Sequence, residues 1–359
     1  MIATLSRDDY CSPDVFETER ERIFHAGWYY ACHVGSLPPG HRRVVDVAGE
    51  SVILARDLDG TLHALANVCR HRGAQLCDPH NAAGRGSIRC PYHAWTYGLD
   101  GALLATPRVD DVETSQVRLW SYHAAARKGM VFVSLAHEPV AIDDWLRRHA
   151  PWLHEFESLE LEQLVVGART ESVVNANWKI VLENYEECLH CAVVHPELVE
   201  LIPLYRTGHV LDPDRADNNV ALVDGGHSFT RDGRSTLSVL PGTTPEEVAV
   251  YRGGAVFPNV MLDVTGTSAS LTALFPVDAQ TTVVVTEYLF NQHDVEADGF
   301  DPTPVVEFSE LVGHQDYAVC ERVQRGVASK AFTGGTLTTK DSLVANFVEH
   351  YRTTLARAS

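Results

Sequence analysis

The chain contains no apolar run approaching the ~20 residues that a membrane-spanning helix needs, so a membrane protein is not expected. Basic residues are scarce beside acidic ones: 29 Lys and Arg stand against 48 Asp and Glu, a formal net charge of −19. An excess of that sign repels phosphate backbones and argues against nucleic-acid binding. The opening stretch MIATLSRDDYCSPDVFETERERIF lacks an apolar core, so it does not read as a secretory signal. Internal repeats and low-complexity linkers are missing too. A cytoplasmic location is the resulting expectation.

What is present is a globular composition, 45% hydrophobic and 21% charged over 359 residues, enough for two domains and a sizeable core. Cysteines stand at 11, 32, 69, 77, 90, 188, 191 and 320. In a secreted chain an even count would suggest disulfides. In a large chain without a signal, Cys clustered with His points to metal binding.

From Arg42 to Leu135 the pattern is one of short β-like runs, RVVDVA, SVILARD, TLHALANV and GMVFVSL, with turn signals at Asp59-Gly60 and Asp100-Gly101. These predict a compact antiparallel all-β module. From about Trp145 the periodicity changes. Asn177 to Val194 predicts a helix, with Trp178, Val181, Leu182, Tyr185 and Leu189 on one buried stripe and Pro196 closing it. Strands are predicted over 219–223, 255–264, 268–275 and 281–290, and helices over 304–327 and 339–356. The class is α+β, with a curved antiparallel sheet wrapped by helices in the second half.

Within the β module, Cys69-Arg70-His71 and Cys90-Pro91-Tyr92-His93 are separated by eighteen residues. Two thiolates and two imidazoles could hold zinc. A zinc finger, however, usually pairs its cysteines together and its histidines together. Here each loop offers one of each, which suits a [2Fe–2S] centre with two thiolates on one iron and two imidazoles on the other. Neutral imidazoles leave such a cluster less negative and raise its potential, which fits a one-electron relay.

A second constellation runs Glu183-Asn184-Tyr185-Glu186-Glu187-Cys188-Leu189-His190, then His195-Pro196. Glu187 and His190 are neighbours on a helix face. His195 lies ~140° further round and converges with His190 only if the helix loosens before Pro196. Two histidines and a carboxylate on one face of iron leave positions open for oxygen and substrate. Asp316 is the candidate acid, because it falls in the otherwise apolar stripe Val312, Val319 and Val323, where an unpaired carboxylate would be costly. Glu321, on the same predicted helix, is the competitor. Glu186 reads as a solvated acid, and Cys188 and Cys191 read as core packing in preference to a redox pair.

The segment CRHRG…CPYHAWTYGLDG resembles the Rieske domain of ring-hydroxylating and related oxygenases, and the acid-x-x-His-x4-His segment at Glu187, His190 and His195 resembles their catalytic domain. Phe257-Pro258-Asn259 extends the match. The resemblance implies three parts: an N-terminal segment, 1–40, packing on the catalytic domain; a Rieske domain, 41–140; and a helix-grip (START-like) catalytic domain, 141–359. It implies a [2Fe–2S] cluster on Cys69, His71, Cys90 and His93, and mononuclear Fe(II) on His190, His195 and Asp316. It gives Glu187 the role of a carboxylate bridging His190 to His93 of the partner subunit, and hence implies a homotrimer. The partners implied are a flavin and/or ferredoxin reductase fed by NAD(P)H, O2 and a small organic substrate. Tyr92 stands where respiratory Rieske proteins would place a cysteine to pair with Cys77, so Cys77 is expected to be a buried small residue. Ala94 replaces a glycine common after the second histidine; its methyl should only tighten the loop. ENYEECLHCAVVHPEL looks most similar to the quaternary-ammonium branch, which hydroxylates or demethylates glycine betaine, choline or carnitine. The alternatives are arene dihydroxylation, aromatic O-demethylation, or a Rieske electron carrier without oxygenase activity.

Overall fold

Two-residue turns at Ala48-Gly49 (φ 46° and 92°) and Lys128-Gly129 (φ 51° and 72°) fold His41–Val47 onto Glu50–Arg56 and Ser121–Arg127 onto Met130–Ser134. Positive φ at both positions gives the turn whose twist matches that of paired antiparallel strands. The turns expected at Gly60 and Gly101 are also present, with φ of 95° and 84°. The computed structural model describes residues 2–78, 84–208 and 219–357. Within it, residues up to Ile23 together with those from Asp143 onward form one compact unit, and Phe24–Ile142 form another.

In the second of these units a seven-stranded sheet runs Tyr29–His33, Met130–Ser134, Ser121–Arg127, Leu62–Ala66, Glu50–Arg56, His41–Val47, Gly84–Arg85. A three-stranded sheet of Ile88–Arg89, Thr96–Tyr97 and Leu103–Ala105 accompanies it. Ile53, Leu65, Ile88, Tyr97, Leu103 and Leu119 make one core with Cys69 and Cys90. Cys77 packs at its edge, half-buried rather than buried as expected. Tyr29–His33 lies inside the segment expected to pack on the catalytic domain. All five of its residues are buried and it pairs with Met130–Val133, so it belongs to this sheet.

The other unit is built on a six-stranded antiparallel sheet ordered Val165–Val174, Thr281–Phe290, Ala269–Asp278, Val260–Val264, Val250–Val256, Val220–Ala221. Leu262, Leu271, Leu274 and Leu289 are fully buried, each stabilising the unit by about 1.5–3 kcal/mol. The single strand expected over 255–264 is two strands: Phe257-Pro258-Asn259 forms the connection, since proline has no amide to continue a ladder. Val165–Val174 was not anticipated. Its half-exposed polar residues hide the alternation.

The helix expected over 177–194 is broken. Trp178–Tyr185 ends at Glu186, and one further turn, Cys191–Val194, follows. The long helix Thr303–Val327 agrees with expectation, but its buried row does not. Phe308, Cys320 and Gln324 face inward, and Val323 is 42% exposed. Asp316 therefore lies on the 308–312–316–320–324 row, four residues apart, rather than on the stripe through Val319 and Val323. The last helix is Ser342–Arg357.

Candidate active site and cluster site

In the Phe24–Ile142 unit, two loops carry the Cys/His pairs. The Cys69 amide donates to Ala74 O at 2.9 Å and the Gly73 amide to Cys69 O at 3.0 Å, closing the first loop; Cys90 N to Trp95 O at 2.8 Å and Ala94 N to Cys90 O at 3.1 Å close the second. Both thiols are buried. The His71 and His93 rings meet edge to face with centroids 4.6 Å apart, and His71 stacks on Trp95 at 4.7 Å. His93 Nδ1 is buried and has no hydrogen-bond partner among the described residues, an atom left for something else to bind. Burial, with His71 and Arg72 nearby, pushes the His93 pKa down, favouring the neutral imidazole that a metal requires. These residues fit the cluster. Tyr97 was not anticipated: its hydroxyl accepts from Arg70 N at 3.1 Å and lies 3.3 Å from Cys69 Sγ, so its proton is free to donate to sulfur. Ala94 has φ 60°, in the left-handed region. Its methyl strains the loop rather than tightening it.

In the other unit, the chain break after Tyr185 sets the second site. Glu187 Oε2 accepts the amides of Leu189 and His190, and its Oε1 lies 2.6 Å from His190 Nδ1. The carboxylate thus replaces the helical hydrogen bonds these amides give up and turns the imidazole. His195 is 1% exposed, with Nδ1 2.8 Å from Gln315 Oε1. Because both Nδ1 atoms face acceptors, they carry the protons, and both Nε2 lone pairs point elsewhere. They point at Asp316 Oδ1, which lies 3.2 Å from His190 Nε2 and 2.9 Å from His195 Nε2. Three acceptor atoms converging in this way call for a cation, and the donor set suits iron(II). The same need shows in the titration: burial opposes protonation of His190, yet the bonds to Asp316 and Glu187 carry its pKa up to about 9. Asp316 is held below the usual carboxylate range by the two imidazoles, which overcome its burial.

Glu321 is engaged elsewhere, accepting from Asn175 N and Nδ2 at 3.2 and 2.8 Å. Cys191 Sγ lies near both histidines. It is tied to Cys188 in a disulfide, not packed as a free thiol as expected, and so is not free to ligate. Glu186, expected to be solvated, lines a second cavity with His149, Trp152 and Phe347, where burial raises its pKa to about 7.

The sequence pattern of the family described as ring hydroxylating alpha subunit (catalytic domain) matches residues 159–357, and that of the Rieske [2Fe-2S] domain matches 27–116. The chain belongs to the ring-hydroxylating alpha subunits. It is 30% identical to the glycine betaine monooxygenase oxygenase subunit of Pseudomonas aeruginosa, over 97% of this chain and 88% of that protein. It is also 30% identical to the carnitine monooxygenase oxygenase subunit of Acinetobacter pittii, over 95% and 90%. The solved quaternary ammonium Rieske monooxygenase CntA superposes with TM-score 0.78 at 25% identity, covering 98% of this chain and 95% of that one. The naphthalene 1,2-dioxygenase of Rhodococcus shares the fold, with TM-score 0.75 at 22% identity. This alpha subunit is thus an oxidoreductase, the terminal component of a Rieske oxygenase, with one [2Fe–2S] cluster and one mononuclear iron per chain. That membership tells against a Rieske electron carrier without oxygenase activity.

A cavity of about 180 Å³ opens beside His190, His195 and Asp316 in this alpha subunit. Asp263 also lines it, and its Oδ1 accepts the hydroxyls of Tyr185 (2.7 Å) and Tyr251. Burial raises the Asp263 pKa, and the two hydroxyls oppose that. The Tyr251 ring lies 6.4 Å from that of Tyr205 and 6.0 Å from that of Phe229. Across the ladder Asp263 pairs with Gly253, where a Cβ would stand 2.7 Å from Asp263 Oδ1 and 2.9 Å from Tyr185 Oη. Glycine is what leaves the room. The acid went unnoticed in sequence, although an Asp within the apolar run Val260–Val264 carries the same signal that singled out Asp316.

Proposed function

We propose that this Rieske oxygenase hydroxylates or oxidatively demethylates a quaternary ammonium compound. The observation that carries the reading is Asp263, a half-buried carboxylate bonded to two tyrosines and flanked by aromatic rings in the cavity beside the histidine pair. Aromatic faces and a carboxylate attract an ammonium head that can donate no hydrogen bond. The names of the relatives point the same way.

When bound, the cluster supplies electrons singly and the iron supplies O2 activation. Cys69, His71, Cys90 and His93 would hold the former; His190, His195 and Asp316 would hold the latter. Gln315 and Glu187 keep the two imidazoles in the tautomer that presents Nε2. The cavity wall excludes water and sets a methyl group toward the histidines. In the demethylation, one oxygen atom enters a C–H bond of an N-methyl group to give N–CH2OH, whose C–N bond then breaks to leave the tertiary amine, formaldehyde and a proton. The other oxygen leaves as water, with two electrons from the reductase and two protons from solvent. Glu187, by the same proposal, also meets His93 of the partner subunit in a homotrimer, in the cytoplasm.

With a surrogate reductase, ammonium compounds should drive O2 uptake and formaldehyde release, whereas uptake driven by aromatic acids alone would overturn the reading. Asp316→Ala should keep the cluster absorbance while iron falls from about three to about two per chain. Retention of all the iron would remove Asp316 from the ligand set.

A further inference from the structure

Besides the two acids beside the histidines, Glu187 and Asp316, the described lining of the cavity holds Asp263 and Glu310. Among the described residues, Asp263 is bonded only by tyrosine hydroxyls. Glu310 Oε1 accepts from Thr170 Oγ1 at 2.7 Å and Tyr288 Oη at 3.3 Å. Neither has a cation beside it among the described residues, and the described lining contains no Lys or Arg. Nearby described cations are committed elsewhere: Lys179 pairs with Glu19, and Arg252 with Glu247. Two sheltered carboxylates held by neutral donors alone are costly unless positive charge arrives. Glycine betaine and carnitine each bring an ammonium together with a carboxylate, and in this cavity that carboxylate would face Asp263 and Glu310 with no Lys or Arg among the described lining residues.

We propose that the substrate is a small net-cationic ammonium compound with no carboxylate, its head seated against Asp263 and the rings of Tyr185, Tyr205, Tyr251 and Phe229. This rests on the ammonium reading above and narrows it. The neutral end of such a molecule, an alcohol or alkyl group, meets acceptors or apolar wall instead of like charge.

Calorimetric binding to the iron-loaded protein separates the two levels with four probes: choline, glycine betaine, 3,3-dimethyl-1-butanol and benzoate. Choline and glycine betaine differ in a hydroxymethyl group against a carboxylate; choline and the butanol differ mainly in the charge. Choline should bind more than about tenfold tighter than the other three. Glycine betaine binding as tightly as choline, with the butanol weak, overturns the inference and leaves the ammonium reading standing. Choline binding no tighter than the butanol or benzoate, including no binding by any of them, overturns both. Asp263→Asn, if it keeps its iron and cluster absorbance, should lose the preference of choline over the butanol; an undiminished preference removes Asp263 as the seat. Should that variant fail to fold, the wild-type ranking decides the substrate class by itself, and Tyr251→Phe, expected to weaken choline binding without changing benzoate, tests the seat.

Discussion

Ala94 sits in a left-handed backbone conformation between two cluster-loop residues, His93 and Trp95, so it pays a cost that glycine would avoid. Ala94→Gly should therefore stabilise the protein by about 0.5–1 kcal/mol, seen as a rise in thermal midpoint with unchanged cluster absorbance. Burial sets a second residue-level effect. Glu183 and Glu186 both titrate near 7 in the folded chain against an ordinary 4.5. Between those values the folded state holds protons that the unfolded state has released. Their contribution is full below about pH 4.5 and is lost as pH rises through about 7. Urea midpoints should fall from about pH 5 to about pH 8, and Glu186→Gln should flatten that slope. Residue types and spacing made the ligand candidates legible, because a thiol, an imidazole and a buried acid are rare enough to stand out. The environments of Glu186 and Cys188 were not legible, since each depends on where the chain turns after Tyr185.

That turn is the feature of element scale that periodicity missed. The apolar stripe of 178–194 continues through it, but the Glu187 carboxylate caps Leu189 and His190 in place of helical carbonyls. A competing side-chain acceptor is invisible to a count of apolar positions. The long helix was visible from its length and period, while its true inward row became clear only from packing, through Phe308, Cys320 and Gln324. In the sheet, the pairing of Gly253 with Asp263 is tight enough to test. Gly253→Ala would push a methyl against Leu262 O, Asp263 Oδ1 and Tyr185 Oη, all within 2.9 Å. A loss of about 1–3 kcal/mol in denaturant unfolding and a raised KM with the iron retained are expected.

Across the whole molecule, the change from period-two runs to helical patterns near Trp145 announced two bodies, but not which of them Tyr29–His33 joins. One buried acid ties distant parts of the catalytic unit together. Glu19 accepts from Lys179 Nζ and from Tyr351 Oη (2.7 Å) on one oxygen, and from Trp178 Nε1 (2.9 Å) on the other. Lys179 and Glu19 are both fully buried. Glu19→Gln strands the ammonium in the interior and should cost about 3–5 kcal/mol, measured by urea unfolding. A space made by one residue for the charge of another has an evolutionary consequence as well. Neither Gly253 nor Asp263 can drift alone: a side chain at 253 collides with the acid, and loss of the acid leaves a gap that a larger residue can fill. Among descendants of this gene the two positions should covary, and a lineage that has turned to an uncharged substrate should bear its mark at both.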